Sequence, residues 1–109
     1  MDSPSIQSIA ALQLELPKLV NLCRQYDVQQ LELFGSAARG EFDPARSDVD
    51  FLVLFRRDSS MSAADRYLGL LADLEKLFDR KVDLVDVRAH RNPYFMAEAL
   101  KYRKVVYAT

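Results

Sequence analysis

The sequence predicts a single α+β domain of alternating α/β character, a small mixed sheet of about four strands flanked by helices. Short β-type runs alternate with amphipathic helical stretches along the chain, which is the first reason. The second is "VDFLVLF" at 49–55, apolar on both faces apart from Asp50, the pattern of a central strand covered on both sides. The third is length: 109 residues suffice for one core, burying roughly 60–70% of the unfolded surface, and leave none for a second.

Ser3-Pro4 joins an N-cap residue to proline at a first helical position, and Ile6, Ile9 and Ala10 follow at helical spacing. Pro17 either kinks this helix or opens a second one, in which Leu16, Leu19, Val20, Cys23 and Tyr26 share a face that ends near Asp27. "QLELFG" at 30–35 alternates and stops at glycine, as a first strand running into a turn does. Residues 36–47 read as a helical turn and loop, and 49–55 as the second strand. Over 60–79, Tyr67, Leu70, Leu71, Leu74, Leu77 and Phe78 recur at i, i+3, i+4, a long helix that Ser62 caps with Asp65 three residues on. "KVDLVDV" at 81–87 is a third strand. Asn92-Pro93 opens a further helix through about Arg103, and "KVVYA" at 104–108 closes the chain as a short strand. The domain over 1–109 thus divides into a helical segment of about 4–26 and a core of about 30–109, without internal repeats or low-complexity tracts.

Fifteen basic residues against sixteen acidic ones leave a net charge of −1, so direct nucleic-acid binding is not expected. The single cysteine, Cys23, has no partner for an internal disulfide and fits a buried position in a reducing compartment. The N-terminus lacks a basic region followed by a long apolar one, and no apolar run approaches the ~18 residues of a membrane span. These features lead us to expect a soluble, cytoplasmic protein without membrane association.

The chemistry concentrates around Asp48 and Asp50. Side chains two apart on a strand point the same way, so these carboxylates project together and repel unless a cation lies between them. Mg²⁺ takes such oxygen ligands, usually with waters and substrate phosphate. Asp83, between Val82 and Leu84, is a candidate third carboxylate; a solvent-facing acid at a strand end is the plainer reading. Asp86, on the opposite face of the same strand, competes with it. Gly35-Ser36 comes directly after a strand and before a probable turn, where glycine admits close approach of a phosphate to backbone N–H groups and serine adds a hydroxyl. A Gly-Ser pair alone usually marks only a turn. Here Asp48 follows Ser36 by twelve positions, room for a loop that returns the chain to an adjacent strand.

The stretch "GSAARGEFDPARSDVDFLV" resembles the signature of the minimal nucleotidyltransferases, a small-domain branch of the DNA polymerase β superfamily: Gly-Ser, a spacer, Asp-x-Asp and a further Asp on a later strand. Gly35, Ser36, Ala38-Arg39-Gly40, Ser47-Asp48, Asp50 and Asp83 all fall in place, and the order of elements is similar through "AEALKYRKVVYA". The resemblance implies a polymerase β-like nucleotidyltransferase fold and transfer of AMP from ATP. It implies that Asp48, Asp50 and Asp83 are the catalytic, metal-binding trio of a two-metal Mg²⁺ site, with Gly35 and Ser36 binding the nucleotide's β and γ phosphates. Asp83 would also help activate the acceptor hydroxyl. Arg39 and Arg46 flank the site, and Arg39, inside the motif, is the better candidate for the triphosphate. Ser47 caps the loop, orients the Asp48 carboxylate or touches phosphate. His90, in "RAHRN", has no matching ligand nearby in sequence, and Arg88, Arg91, Lys101, Arg103 and Lys104 read as the solvated outer face of the last helix.

No further domain is on hand to hold an acceptor, so the acceptor is expected to arrive on another protein. Relatives of this kind pair with a helical HEPN-domain RNase toxin. The resemblance therefore implies an antitoxin that transfers AMP to a tyrosine of that toxin in a hetero-oligomer. Two other readings stay open: an antitoxin that inhibits by binding without catalysis, and the catalytic subunit of an antibiotic nucleotidyltransferase.

Overall fold

A computed structural model of the protein describes residues 15–34, 49–89, 97 and 103–109. Helix α1 spans Leu16–Gln25 with Pro17 in its first turn, where the missing N–H has no intrahelical partner to lose. Pro17 therefore opens a helix rather than kinking one. Leu19 and Cys23 form its buried face, and Asp27, at φ 54°, turns the chain into the sheet.

Strand β1 covers Val28–Phe34, beginning before the predicted alternation because a bulge between Val28 and Gln30 resets its phase against the next strand. Strand β2, Val49–Phe55, has the predicted bounds. Helix α2 covers Ala63–Phe78, and the Asp65 backbone N–H donates to Ser62 Oγ at 3.1 Å, the expected cap. It ends at Asp79, which takes the left-handed conformation at φ 51°. Strands β3, Val82–Asp86, and β4, Arg103–Ala108, complete the sheet. Arg103 is thus a strand residue, a correction to the helix predicted through it; of the rest of that helix Ala97 is described, and it is helical. The N-terminal helix predicted before Glu15 lies outside the described residues.

The four strands run β3-β2-β1-β4. Strand β1 is antiparallel to β2 and β4, while β2 and β3 are parallel, joined by α2 as the crossover. The fold is α+β with a mixed sheet, as predicted. Both described helices pack on one face, where Leu19, Cys23, Leu70 and Leu74 meet Leu31, Leu33, Phe51, Val53 and Leu84. On the other face Phe34 and Leu52 are buried against Val85 and Val87. Interior strand β2 is therefore anchored on both sides, as its apolar run requires.

Two features of this core give measurable expectations. A Cβ on Gly69 would lie 2.5 Å from Tyr26 Cε1, and that ring is buried and tied down by its hydroxyl, which donates to Asp73 Oδ2 at 2.5 Å. Gly69→Ala should therefore destabilise by about 1–3 kcal/mol through overpacking. The ~1 kcal/mol of helix propensity that alanine adds offsets part of this, leaving a net loss of up to about 2 kcal/mol. Urea unfolding checks it, and a stabilised variant would show that the ring can move.

Cys23 is fully buried, and burial pushes its thiol from 9.0 up to about 12. It should resist alkylation in the native protein at pH 8 and react once unfolded. A raised pKa means the folded state keeps the proton longer, so stability should decline as pH rises from about 9 toward 12. Cys23→Ala should remove that part of the slope.

Candidate active site at the Asp50 end of the sheet

Strand β2 turns Val49, Phe51, Val53 and Phe55 to the helices and Asp50, Leu52 and Leu54 to the opposite face. Strand β3 behaves likewise: Val82 and Leu84 are core residues, so Asp83 between them faces away from the helices. In the parallel pairing Asp50 is opposite Asp83, which puts the two carboxylates on one face of adjacent strands, about 5 Å apart at the backbone. Asp50 is half-buried and Asp83 is exposed.

The same register separates the competing acid. Asp86 is opposite Val53 and so belongs to the helix side, where its Oδ1 accepts from the Arg88 N–H at 3.0 Å. Arg88 itself donates through Nη1 to the Phe55 carbonyl, stitching the end of β3 to the end of β2. Of the basic residues read as one helix face, Arg88 lies just past β3, while Arg103 and Lys104 are on β4.

On its other side Asp50 is opposite Phe34, the last residue of β1. Gly35-Ser36 comes next in the chain, so the strand carrying the proposed phosphate donors ends beside the carboxylate pair. Gly35, Ser36, Arg39, Arg46, Ser47, Asp48 and His90 lie outside the described residues. Among the described residues no group of three or more His, Cys, Asp or Glu is disposed to hold a metal. The Asp50 and Asp83 pair nevertheless fits a hard divalent cation, since it offers adjacent anionic oxygens from two rigid strands.

The Tyr67 phenol is raised above its ordinary value by burial and, in addition, by the negative charges of Asp83 and Asp86; its hydroxyl donates to the Leu84 carbonyl at 2.6 Å. The sequence reading overlooked one acid on this face. Glu32 is buried on the same side of β1 as Phe34, and its place in an alternating "QLELF" run looked like an ordinary polar strand position.

Carboxylates paired across adjacent strands, beside a strand whose next residues in sequence are Gly-Ser, are the parts a phosphoryl-transfer site uses. The family model for polymerase beta nucleotidyltransferase domains matches residues 17–109, and the chain belongs to that family. It is 41% identical over 70 residues to a Methanocaldococcus jannaschii protein named as a candidate protein adenylyltransferase, covering 64% of this chain and 68% of that one. Its fold is similar to a crystal structure of a toxin–antitoxin with AMP-PNP, at TM-score 0.65 and 28% identity, covering 86% of this chain and 73% of that chain. It is also similar to a chain from the tri-AMPylated Shewanella oneidensis HEPN toxin in complex with MNT antitoxin, at TM-score 0.62 and 25% identity, covering 89% and 72%. Among the described residues no helix is long and apolar enough to cross a membrane.

Proposed function

We propose that this nucleotidyltransferase moves AMP from ATP to a hydroxyl, a tyrosine of a HEPN-type RNase toxin, and so acts as that toxin's antitoxin. The observation that carries the reading is the register pair Asp50 and Asp83, beside the strand end that leads into Gly35-Ser36. The adenylyltransferase name of one relative and the AMPylated toxin bound to another support the substrate and the partner.

Asp48, Asp50 and Asp83 would hold Mg²⁺, in a two-metal arrangement that offsets negative charge on the attacking and leaving oxygens. The chain's own groups do the positioning. Backbone N–H groups and the hydroxyl at Gly35-Ser36 would hold the β and γ phosphates, with Arg39 and Ser47 contributing from the segment that follows in sequence. Asp83, the exposed member of the pair, would accept the acceptor hydroxyl's proton. The hydroxyl oxygen bonds to the α-phosphorus as the bond to the bridging oxygen breaks, and pyrophosphate leaves with that electron pair. Little else is asked of the protein beyond rigid placement, which a strand buried on both faces provides.

Incubation of the chain with its toxin, ATP and Mg²⁺ should add whole AMP units to the toxin's intact mass and abolish its RNase activity. An unmodified but inhibited toxin would favour inhibition by binding, and an adenylylated antibiotic in a substrate screen would favour the small-molecule reading.

A further inference from the structure

Glu32 is 7% exposed, lying opposite Leu52 of β2 and Val105 of β4. A carboxylate so placed costs several kcal/mol unless a cation or hydrogen-bond donors compensate it. Among the described residues its Oε2 accepts no well-aligned hydrogen bond, and its partner there is Arg103, whose Nε lies 3.4 Å away. The contact uses the inner edge of the guanidinium, and 47% of the Arg103 side chain remains exposed.

Arg103 reaches this face because of one irregularity. In the β1 and β4 ladder Leu31 is opposite Tyr107 and Glu32 is opposite Val105, so Val106 is an extra residue, a bulge. Tyr107 and Val106 pack on the helix-side core, whereas Arg103, opposite Phe34, shares the face of Glu32 and Asp50. Strict alternation would have put Arg103 and Tyr107 on the same side. One cross-strand row therefore reads Asp83, Asp50, Phe34, Arg103, with the two acids at one end and a half-exposed cation at the other.

Resting on the nucleotidyltransfer reading above, we propose that Arg103 binds the β and γ phosphates of the nucleoside triphosphate, with Glu32 as the positioning residue that holds its guanidinium. Arg103 lies beside the end of β1, where the chain enters Gly35-Ser36, and two strand spacings, roughly 10 Å, separate its backbone from that of Asp50. An arginine and a triphosphate tail together bridge that gap. With the α-phosphate at the carboxylates, the tail extends across β1 toward Arg103 and the acceptor approaches from the β3 side. Glu32 fixes the direction of the guanidinium, leaving its outer N–H groups for phosphate oxygens.

Calorimetric titration of the 109-residue chain with ATP and with AMP, both in Mg²⁺, tests this. Arg103→Gln should weaken ATP about tenfold and leave AMP within about twofold, since a charge-assisted contact to the tail is lost and AMP has no tail. Arg103→Lys should recover part of the ATP affinity. Glu32→Gln should weaken ATP about threefold with the same indifference to AMP. Equal weakening of ATP and AMP, or no change in either, would overturn the assignment. Wild-type protein that binds neither nucleotide would instead sink the nucleotidyltransfer reading, and this one with it.

Discussion

Asp83→Asn should lower the rate of AMP transfer by about a thousandfold, some 4 kcal/mol of barrier, while Asp86→Asn should leave it within about threefold. The two acids are three positions apart on one short strand, yet the pairing separates them: Asp83 is opposite Asp50, Asp86 opposite Val53 on the helix side. Changing Asp83 to its amide preserves shape and removes the charge that would hold a metal and take a proton. Because Asp83 is exposed, its loss should cost under about 0.5 kcal/mol of stability. Asparagine at 86 keeps the oxygen that accepts from the Arg88 N–H, so the end of β3 should survive. Single-turnover transfer of labelled AMP, read beside Tm, checks both variants. An active Asp83→Asn enzyme, or equal losses from the two changes, would refute the register argument.

Phe51→Ala should cost about 3–5 kcal/mol, the largest stability effect expected among the described residues. Phe51 is fully buried on the strand that carries Asp50, and its ring packs at 5.8 Å and 37° from that of Phe78 near the end of α2. Removing it opens a cavity between sheet and helix that neither side can readily close. Against a total stability of about 5–15 kcal/mol for such domains, this should lower Tm by at least about 12 °C. Phe51→Leu should cost well under half as much because most of the volume is kept. Urea unfolding with an unchanged slope and a lower midpoint is the expected record. A loss below about 1 kcal/mol would mean that the ring is not the wedge between β2 and α2.

Much of this molecule was legible in the linear chain wherever a local physical signal decides the structure. The bounds of β2 follow from a continuous apolar run, and α2 from its i, i+3, i+4 pattern with Ser62 at its head. The Gly-Ser and Asp-x-Asp stretch resembles the minimal nucleotidyltransferase signature, and the family match over 17–109 agrees with that resemblance. The choice at Pro17 was not legible, because the same residue can kink one helix or open another. It depends on whether Leu19 and Cys23 find a sheet to pack on, which they do.

By itself, then, the sequence determined the order of the described elements and most of their extents, because periodicity and capping act within a few residues along the chain. Tertiary structure alone decided which side chains meet. Asp83 lies beside Asp50 through the parallel register of β2 and β3, and a slip of one residue would have offered Val82 or Leu84 instead. Arg103 joins that face through a bulge at Val106, and Glu32 turned from a polar strand position into a buried anion. Register and bulges are settled by packing between segments far apart in sequence, so no local pattern records them.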